Sequence, residues 1–386
     1  MINIFLFLSI AFLFTFLIGK LLEKIRIPWI FAALLFGTLL AIYNPFTSIT
    51  SSNTFIFLAK LGMYFLLFVI GFEIDFNKFK KMGKFIIGST FFIIIFEGIC
   101  GTLLIHLLFH YTWIISFIVG LSFATVGEAV LIPILDEFHA VNTKVGQMII
   151  GIGTFDDLIE ISTLILAIIL IGTKIETQVN IGLIIGSLFF LFAFAAILIN
   201  LKNEGEKFKF KNIETLFLLI TAIFFLFLGI GKYAEASAMA AVLAGMGMKN
   251  FIPKERLKLI ENEIKTMSYG FFAPIFFIWV GSTMNMKYLV SYPLIVLLVV
   301  IVSFLAKTIA TYIISLKKLN FKESMLLSVG LSVRFSTSII IIKMLFEGGL
   351  IDSELYSVII ASSILFVLIL PITFSYLIYK WKNSMN

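Results

Sequence analysis

Two adjacent aspartates, Asp156 and Asp157, lie in the middle of a long apolar stretch, in the segment GIGTFDDLIE. An ionisable side chain costs about 2.5–3.5 kcal/mol at the centre of a membrane-spanning helix, so each one is a candidate functional residue. Thr154, Asp157 and Glu160 recur every three residues, which places their oxygens on one face of a helix. Carboxylate and hydroxyl oxygens suit a hard cation such as Na⁺, and carboxylates also bind protons. We therefore predict an ion-binding or proton-binding site in this segment.

The two aspartates are expected to have different partners. Consecutive residues of an α-helix point about 100° apart, so Asp156 and Asp157 cannot both face one small pocket. Lys307, in the segment FLAKTIA, is the expected counter-charge for one of them. A cation that displaced the carboxylate from Lys307 would leave a desolvated ammonium, which favours release of its proton. The pattern thus predicts coupling between cation and proton, and the simpler alternative is a static ion pair.

Two segments rich in Gly, Ser and Thr each surround one charged residue: GLSFATVGEAVLIPIL from Gly120 and GLSVRFSTSIII from Gly330. Such compositions favour broken helices, whose unpaired backbone ends line a cavity. Glu128 is expected to neutralise the positive helix N-termini and Arg334 the negative C-termini. Further oxygens could come from hydroxyl residues that could equally serve only in helix packing: Thr125, Ser332 and Ser336.

The rest of the chain consists of apolar runs that would hold these residues inside a membrane. Of 386 residues, 61% are apolar and 13% are charged, whereas soluble domains average ~45–50% and ~25%. The runs predict an all-α polytopic membrane protein with about thirteen spans. We expect the spans to begin near residues 2, 28, 54, 84, 113, 145, 181, 213, 234, 267, 289, 324 and 353. No haem, nucleotide or nucleophile motif accompanies them, so we expect neither an enzyme, nor a cofactor, nor a nucleic-acid or nucleotide partner.

Most of the 29 Lys and Arg residues lie in the loops that follow the odd-numbered spans. Loops rich in Lys and Arg stay in the cytoplasm, so the N-terminus is expected outside and the C-terminus inside. The net charge of +7 comes mainly from these loops. The opposite side of the membrane, including span edges, has only a few basic residues: Lys60, Lys174, Lys232, Lys287 and Lys343.

The two halves of the sequence match weakly at a constant offset of 210 residues. The matches pair Gly71 with Gly281, Asp75 with Asn285, and Gly120–Ser122 with Gly330–Ser332. They predict one repeat in residues 1–200, including a linker helix, a charged cytoplasmic linker at 201–212, and a second repeat in 213–386. A displacement by an odd number of spans makes the two six-helix repeats inverted. Glu97 and Lys307 then occupy equivalent positions, as a packing pair or a second proton site.

With these residues identified, the chain resembles the bacterial monovalent cation/proton antiporters, in the electrogenic branch that has paired aspartates. The resemblance rests on ATVGEAVLIPILDEFHAVNTKVGQMIIGIGTFDDLIEI at residues 124–161, on Lys307, and on GLSVRFS at residues 330–336. It implies two crossed broken helices, and a dimerisation domain and a core domain interleaved between the repeats. It also implies a homodimer in the bacterial inner membrane that works by alternating access and serves pH homeostasis.

The resemblance also implies roles for individual residues. Asp157 resembles the acid that binds cation and proton in turn, Asp156 the acid paired with a lysine, and Lys307 that lysine. The chain departs from the family pattern at Glu128 and Glu160, where small or apolar residues are usual. The expected function is exchange of cytoplasmic Na⁺ or Li⁺, with K⁺ as a further candidate, for external protons.

Three other functions fit parts of the pattern. K⁺/H⁺ antiport would use the same residues, but the chain ends at YKWKNSMN without a nucleotide-binding domain, which disfavours a ligand-gated potassium efflux system. A sodium-coupled organic-anion symporter would share crossed broken helices, by fold-level analogy alone. A membrane sensor would need neither paired acids nor their counter-charges. Antiport therefore explains the largest number of buried charges.

Overall fold

The computed structural model describes residues 3–73, 83–126, 131, 134–135, 138–174, 181–201, 212–233, 236–252, 254–315, 318–334 and 337–381. These residues form helices joined by short connections and contain no strand, so the predicted all-α class is confirmed. Seven of the described helices are long and apolar enough to cross a membrane, and three shorter apolar helices accompany them. The chain is thus a multi-pass membrane protein.

The helices follow one another along the chain as α1 Ile4–Lys24, α2 Phe31–Ile42, α3 Thr47–Thr50, α4 Asn53–Glu73, α5 Lys84–Phe109, α6 Trp113–Phe123, α7 Lys144–Lys174, α8 Ile181–Asn200, α9 Ile213–Tyr233, α10 Ser237–Phe251, α11 Lys254–Met267, α12 Ala273–Ser282, α13 Met286–Ser291, α14 Pro293–Ser315, α15 Phe321–Leu331, α16 Thr337–Glu347 and α17 Ser353–Trp381. A π-helical turn, Ser268–Phe272, joins α11 to α12. Most predicted span starts lie within a few residues of a helix start.

The clearest difference from the predicted spans is the one placed near residue 267. There the helix begins at Lys254 and continues through the π-helical turn into α12. The added sequence, KERLKLIENEIKTM, has its apolar residues on one face and charges on the other. An amphipathic segment forms a helix that packs by one face, whereas a search for continuous apolar runs does not detect it. Lys265 there pairs with both Glu73 and Glu261 at 2.7 Å.

The helices pack as two groups that alternate along the sequence. The first bundle contains α1, α2, α4, α9, α10, α11 and α12, with α8 against α9 and α10. The second bundle contains α5, α6, α7, α14, α15, α16 and α17. The two bundles meet where α10 contacts α7, and a cavity of about 820 Å³ lies between them, lined by residues of α4, α7, α9, α10, α12 and α16.

Glycines let the helices of the first bundle touch backbone to backbone. A Cβ added to Gly71 would lie 2.1 Å from the carbonyl oxygen of Val242, and one added to Gly281 would lie 2.5 Å from that of Leu34. Small residues at helix crossings are typical of membrane proteins, where close packing replaces the hydrophobic effect. The sequence match between Gly71 and Gly281 thus joins two positions with the same packing role.

Candidate functional site

The site forms where the chain leaves α6. This helix ends at Phe123, and residues 124–126 follow in a non-helical conformation. Lys307 donates from Nζ to the carbonyl oxygen of Ala124 at 2.6 Å, and the N–H of Val126 donates to Asp156 Oδ2 at 2.5 Å. Unpaired backbone groups at a helix end are costly inside a membrane. Two buried side chains of opposite charge therefore stabilise the broken helix.

The ion-pair partner of Lys307 is Glu97 of α5, where the sequence pointed to Asp156. Lys307 Nζ lies 2.8 Å from Glu97 Oε2, and both side chains are buried. Asp156 is instead hydrogen-bonded to the break after α6. Glu97 and Lys307 are the two positions related by the offset of 210 residues. The alternative of a packing pair, raised from the sequence, thus describes their contact in this structure.

Arg334 binds the same carboxylate from the other side. Its Nη2 donates to Glu97 Oε1 and, at 2.6 Å, to Ser303 Oγ, while Ser303 Oγ lies 2.5 Å from Glu97 Oε1. The guanidinium lies 4.1 Å and 4.3 Å from the ring centres of Phe123 and Phe366. The hydrogen bonds of Arg334 go to these side chains, and the residue lies close to the C-terminal ends of α6 and α15, whose charge it was predicted to neutralise.

These contacts define a buried charge network of Glu97, Asp156, Lys307 and Arg334. Two acids and two bases balance one another, and the charge of Asp156 also acts on Arg334. Buried charges are tolerated only when paired and hydrogen-bonded, because desolvation otherwise exceeds their attraction. The network therefore keeps four ionisable groups inside the membrane around the broken helix.

Next to this network lie the oxygens that are available to a cation. Thr125, in the break between Ala124 and Val126, is buried, and its hydroxyl has no hydrogen-bond partner within the described part of the chain. Asp157 follows Asp156 in α7, and its side chain lies outside the described residues. Thr154, on the same helix as the two aspartates, donates to the carbonyl oxygen of Ile150 at 2.7 Å.

The structure describes two of the four remaining candidate residues. Glu160 is buried on α7, one turn after Asp156. Ser332 donates to the carbonyl oxygen of Ser328 at 2.8 Å, and both roles expected for it from the sequence stay open. Glu128 and Ser336 lie outside the described residues, as do residues 202–211 of the expected linker.

Sequence reasoning did not identify Ser303, which contacts both Glu97 and Arg334. Its signal was its position four residues before Lys307, because residues four apart share one face of a helix. The sequence also predicted that Lys343 lies at the edge of a span, whereas this side chain is fully buried.

Comparison with known proteins places these features in a family. The model of the transmembrane sodium/hydrogen exchanger family matches residues 9–380. Probable Na(+)/H(+) antiporter 3 of Methanocaldococcus jannaschii is 26% identical over 98% of this chain and 97% of its own. The Na(+)/H(+) antiporter of Enterococcus hirae is 22% identical over 83% of this chain and 84% of its own. The glutathione-regulated potassium-efflux system protein KefC of Cronobacter sakazakii is 24% identical over 69% of this chain and 43% of its own.

The fold agrees with these matches. The structure of the sodium proton antiporter MjNhaP1 of Methanocaldococcus jannaschii at pH 8 superimposes with a TM-score of 0.67. The match covers 95% of this chain and 97% of that protein, at 18% identity. The resemblance to cation/proton antiporters stated from residues 124–161, Lys307 and residues 330–336 is thereby confirmed, because the family model spans nearly the whole chain, while the electrogenic branch stays a prediction. The chain belongs to the sodium/hydrogen exchanger family of transmembrane proteins.

Proposed function

We propose that this protein is a secondary antiporter that exchanges cytoplasmic Na⁺ or Li⁺ for external protons. The main support is the broken helix at residues 124–126, whose backbone meets Asp156 and Lys307 inside the membrane-spanning bundle. A second support is Thr125, which lies between the two contacting residues and whose hydroxyl has no hydrogen-bond partner among the described residues. Proteins of this family are transporters rather than enzymes, and the cation and the proton are their substrates. Alternate binding of the two at one carboxylate explains obligatory exchange.

We further propose that the chain contains two inverted repeats, that the first bundle is a dimerisation domain and that the second is the moving core. The helix bounds support the repeat, because α5, α6 and α7 begin at residues 84, 113 and 144, and α14, α15 and α17 at 293, 321 and 353. The shift is close to the offset between Glu97 and Lys307. On this proposal the protein is a homodimer in the bacterial inner membrane, with its N-terminus outside and its C-terminus in the cytoplasm.

Everted membrane vesicles test the exchange. After respiration has acidified their interior, added Na⁺ or Li⁺ is expected to collapse the pH gradient, which a fluorescent pH probe reports. K⁺ is the alternative cation, because one relative is named a potassium-efflux protein. A gradient unaffected by any of the three cations would contradict the proposal. A response to K⁺ alone would show that K⁺, and not Na⁺, is the exchanged cation.

We also propose that exchange is electrogenic, with more than one proton per cation. The support is that two ionisable groups besides the proposed binding acid, Asp156 and Lys307, contact the backbone at residues 124–126. In liposomes that contain the purified protein, an imposed membrane potential is expected to change the rate of exchange. A rate indifferent to the potential would show that neither Asp156 nor Lys307 carries a second proton.

A further inference from the structure

A second buried ammonium lies apart from the charge network, on α16. Lys343 is fully buried, and its Nζ lies 3.0 Å from Glu347 Oε1 and donates to Thr283 Oγ1 at 2.9 Å. The ring centre of Trp279 is 3.9 Å from the same nitrogen. A carboxylate, a hydroxyl and an aromatic face together replace the water that this cation has lost.

These contacts join the two bundles. Lys343 and Glu347 belong to α16 of the second bundle, whereas Trp279 lies on α12 of the first and Thr283 directly follows it. Glu347 also lies 3.8 Å from Lys60 of α4, which is again in the first bundle. Movement of one bundle against the other would therefore separate Lys343 from its two partners in the first bundle, Thr283 and Trp279.

The contacts also lie on the cavity between the bundles. Lys60, Trp279 and Glu347 all line its wall. Charge distribution along the sequence assigns Lys60 and Lys343 to the outer side of the membrane. The pair between Lys60 and Glu347 is half exposed, and such pairs contribute little. Of the two lysines, Lys343 is therefore the one expected to influence the position of the bundles, beside a separate hydrogen bond from Tyr356 of α17 to the carbonyl oxygen of Val280 at 2.7 Å.

We propose that Lys343, Glu347, Thr283 and Trp279 form an outer latch that stabilises the described arrangement of the two bundles. This inference rests on the proposed alternating access, in which the second bundle moves. An ammonium pulled away from Thr283 and Trp279 keeps Glu347 and the rings of Phe346 and Tyr356, at 5.0 and 5.2 Å, but loses its hydroxyl partner and its nearest aromatic face. The latch thus sets how much of the protein rests in this arrangement and so influences the turnover of exchange.

The test measures the distance between the bundles directly. Spin labels are attached to Thr54→Cys on the first bundle and Glu354→Cys on the second, both exposed, with Cys100→Ala to remove the free thiol. Pulsed dipolar spectroscopy in nanodiscs then gives the distance populations. In the parent protein one distance should dominate, and Lys343→Met should raise the ratio of the second to the first about tenfold, as for a lost desolvated cation–π contact.

Two further variants separate the latch from general packing. Lys343→Arg keeps the charge and should stay close to the parent distribution. Lys232→Met removes a lysine that lines the same cavity but makes no hydrogen bond or ion pair with the described residues, so the distance distribution should not change. If Lys343→Met does not fold, Thr283→Val is used, because it removes the acceptor of Lys343 in the first bundle and leaves the pair of Lys343 with Glu347. The Thr283 hydroxyl also lies 3.1 Å from that of Tyr356, so Tyr356→Phe, which removes this contact and keeps the acceptor of Lys343, is its control and should change the distribution less.

Unchanged distances in Lys343→Met or Thr283→Val would overturn the latch, as would an equal change in Lys232→Met. The distances are measured without transport, so they can support the latch even if the vesicle assay shows no Na⁺/H⁺ exchange. A single distance in every variant together with normal exchange would reject the latch and retain the antiporter.

Discussion

Replacing Asp157 with asparagine is expected to abolish the Na⁺-induced collapse of the pH gradient in everted vesicles. The amide has nearly the shape of the carboxylate but carries no negative charge and does not bind a proton at neutral pH. Neither substrate would then bind at this position, and exchange requires both. The expected loss is complete, because Asp157 is the carboxylate at which the cation and the proton are proposed to alternate, whereas Asp156 is held by the N–H of Val126.

The adjacent residue provides a matched control. Asp156→Asn makes the same chemical change one position earlier on the same helix, and its amide oxygen can still accept the N–H of Val126. We therefore expect reduced rather than abolished exchange, with normal expression of both variants. Full activity in Asp157→Asn would contradict the proposed role of Asp157 as the acid that binds cation and proton. Equal loss in the two variants would mean that the charge of Asp156 is as essential as that of Asp157.

The helices and the break were predictable because their causes are local. Apolar runs bounded by charged residues mark where a helix enters and leaves a membrane, so the sequence located the starts of α5, α6 and α9 within a residue or two. The Gly-, Ser- and Thr-rich composition after Gly120 likewise predicted the break that follows Phe123. The amphipathic α11 was missed because its apolar face is interrupted in the sequence by charges.

The partners of the buried charges could not be predicted in the same way. Lys307 meets Glu97 rather than Asp156 because of how α5, α7 and α14 cross, and the chemistry of the three residues allows either pair. Only the repeat offset singled out Glu97, and it left both a packing pair and a proton site open. Lys343 was overlooked for a related reason, since burial at a span edge depends on the neighbouring helix, here α12.

Glu97→Gln is expected to cause the largest loss of stability among substitutions in the charge network. This carboxylate is in contact with both Lys307 and Arg334, and all three side chains are buried. Breaking a buried ion pair by removing one partner costs about 3–5 kcal/mol, because the other charge stays desolvated. Glutamine keeps an oxygen that can accept from Ser303 and Arg334, but its NH2 group replaces the oxygen beside Lys307, so the loss combines the missing charge with one missing acceptor. The midpoint of thermal unfolding in detergent measures it.

Two variants show whether charge balance is the cause. In Glu97→Gln with Lys307→Gln, one acid and one base are removed together, so the network stays neutral and part of the lost stability should return. Ser303→Ala removes a hydroxyl from the same carboxylate without changing any charge, and its loss should be nearer the ~1 kcal/mol of an ordinary hydrogen bond. If Glu97→Gln unfolds at the wild-type temperature, the network does not hold α5 against α14. If the double variant is less stable than Glu97→Gln alone, shape rather than charge balance governs the site, and Lys307 has a structural role independent of Glu97.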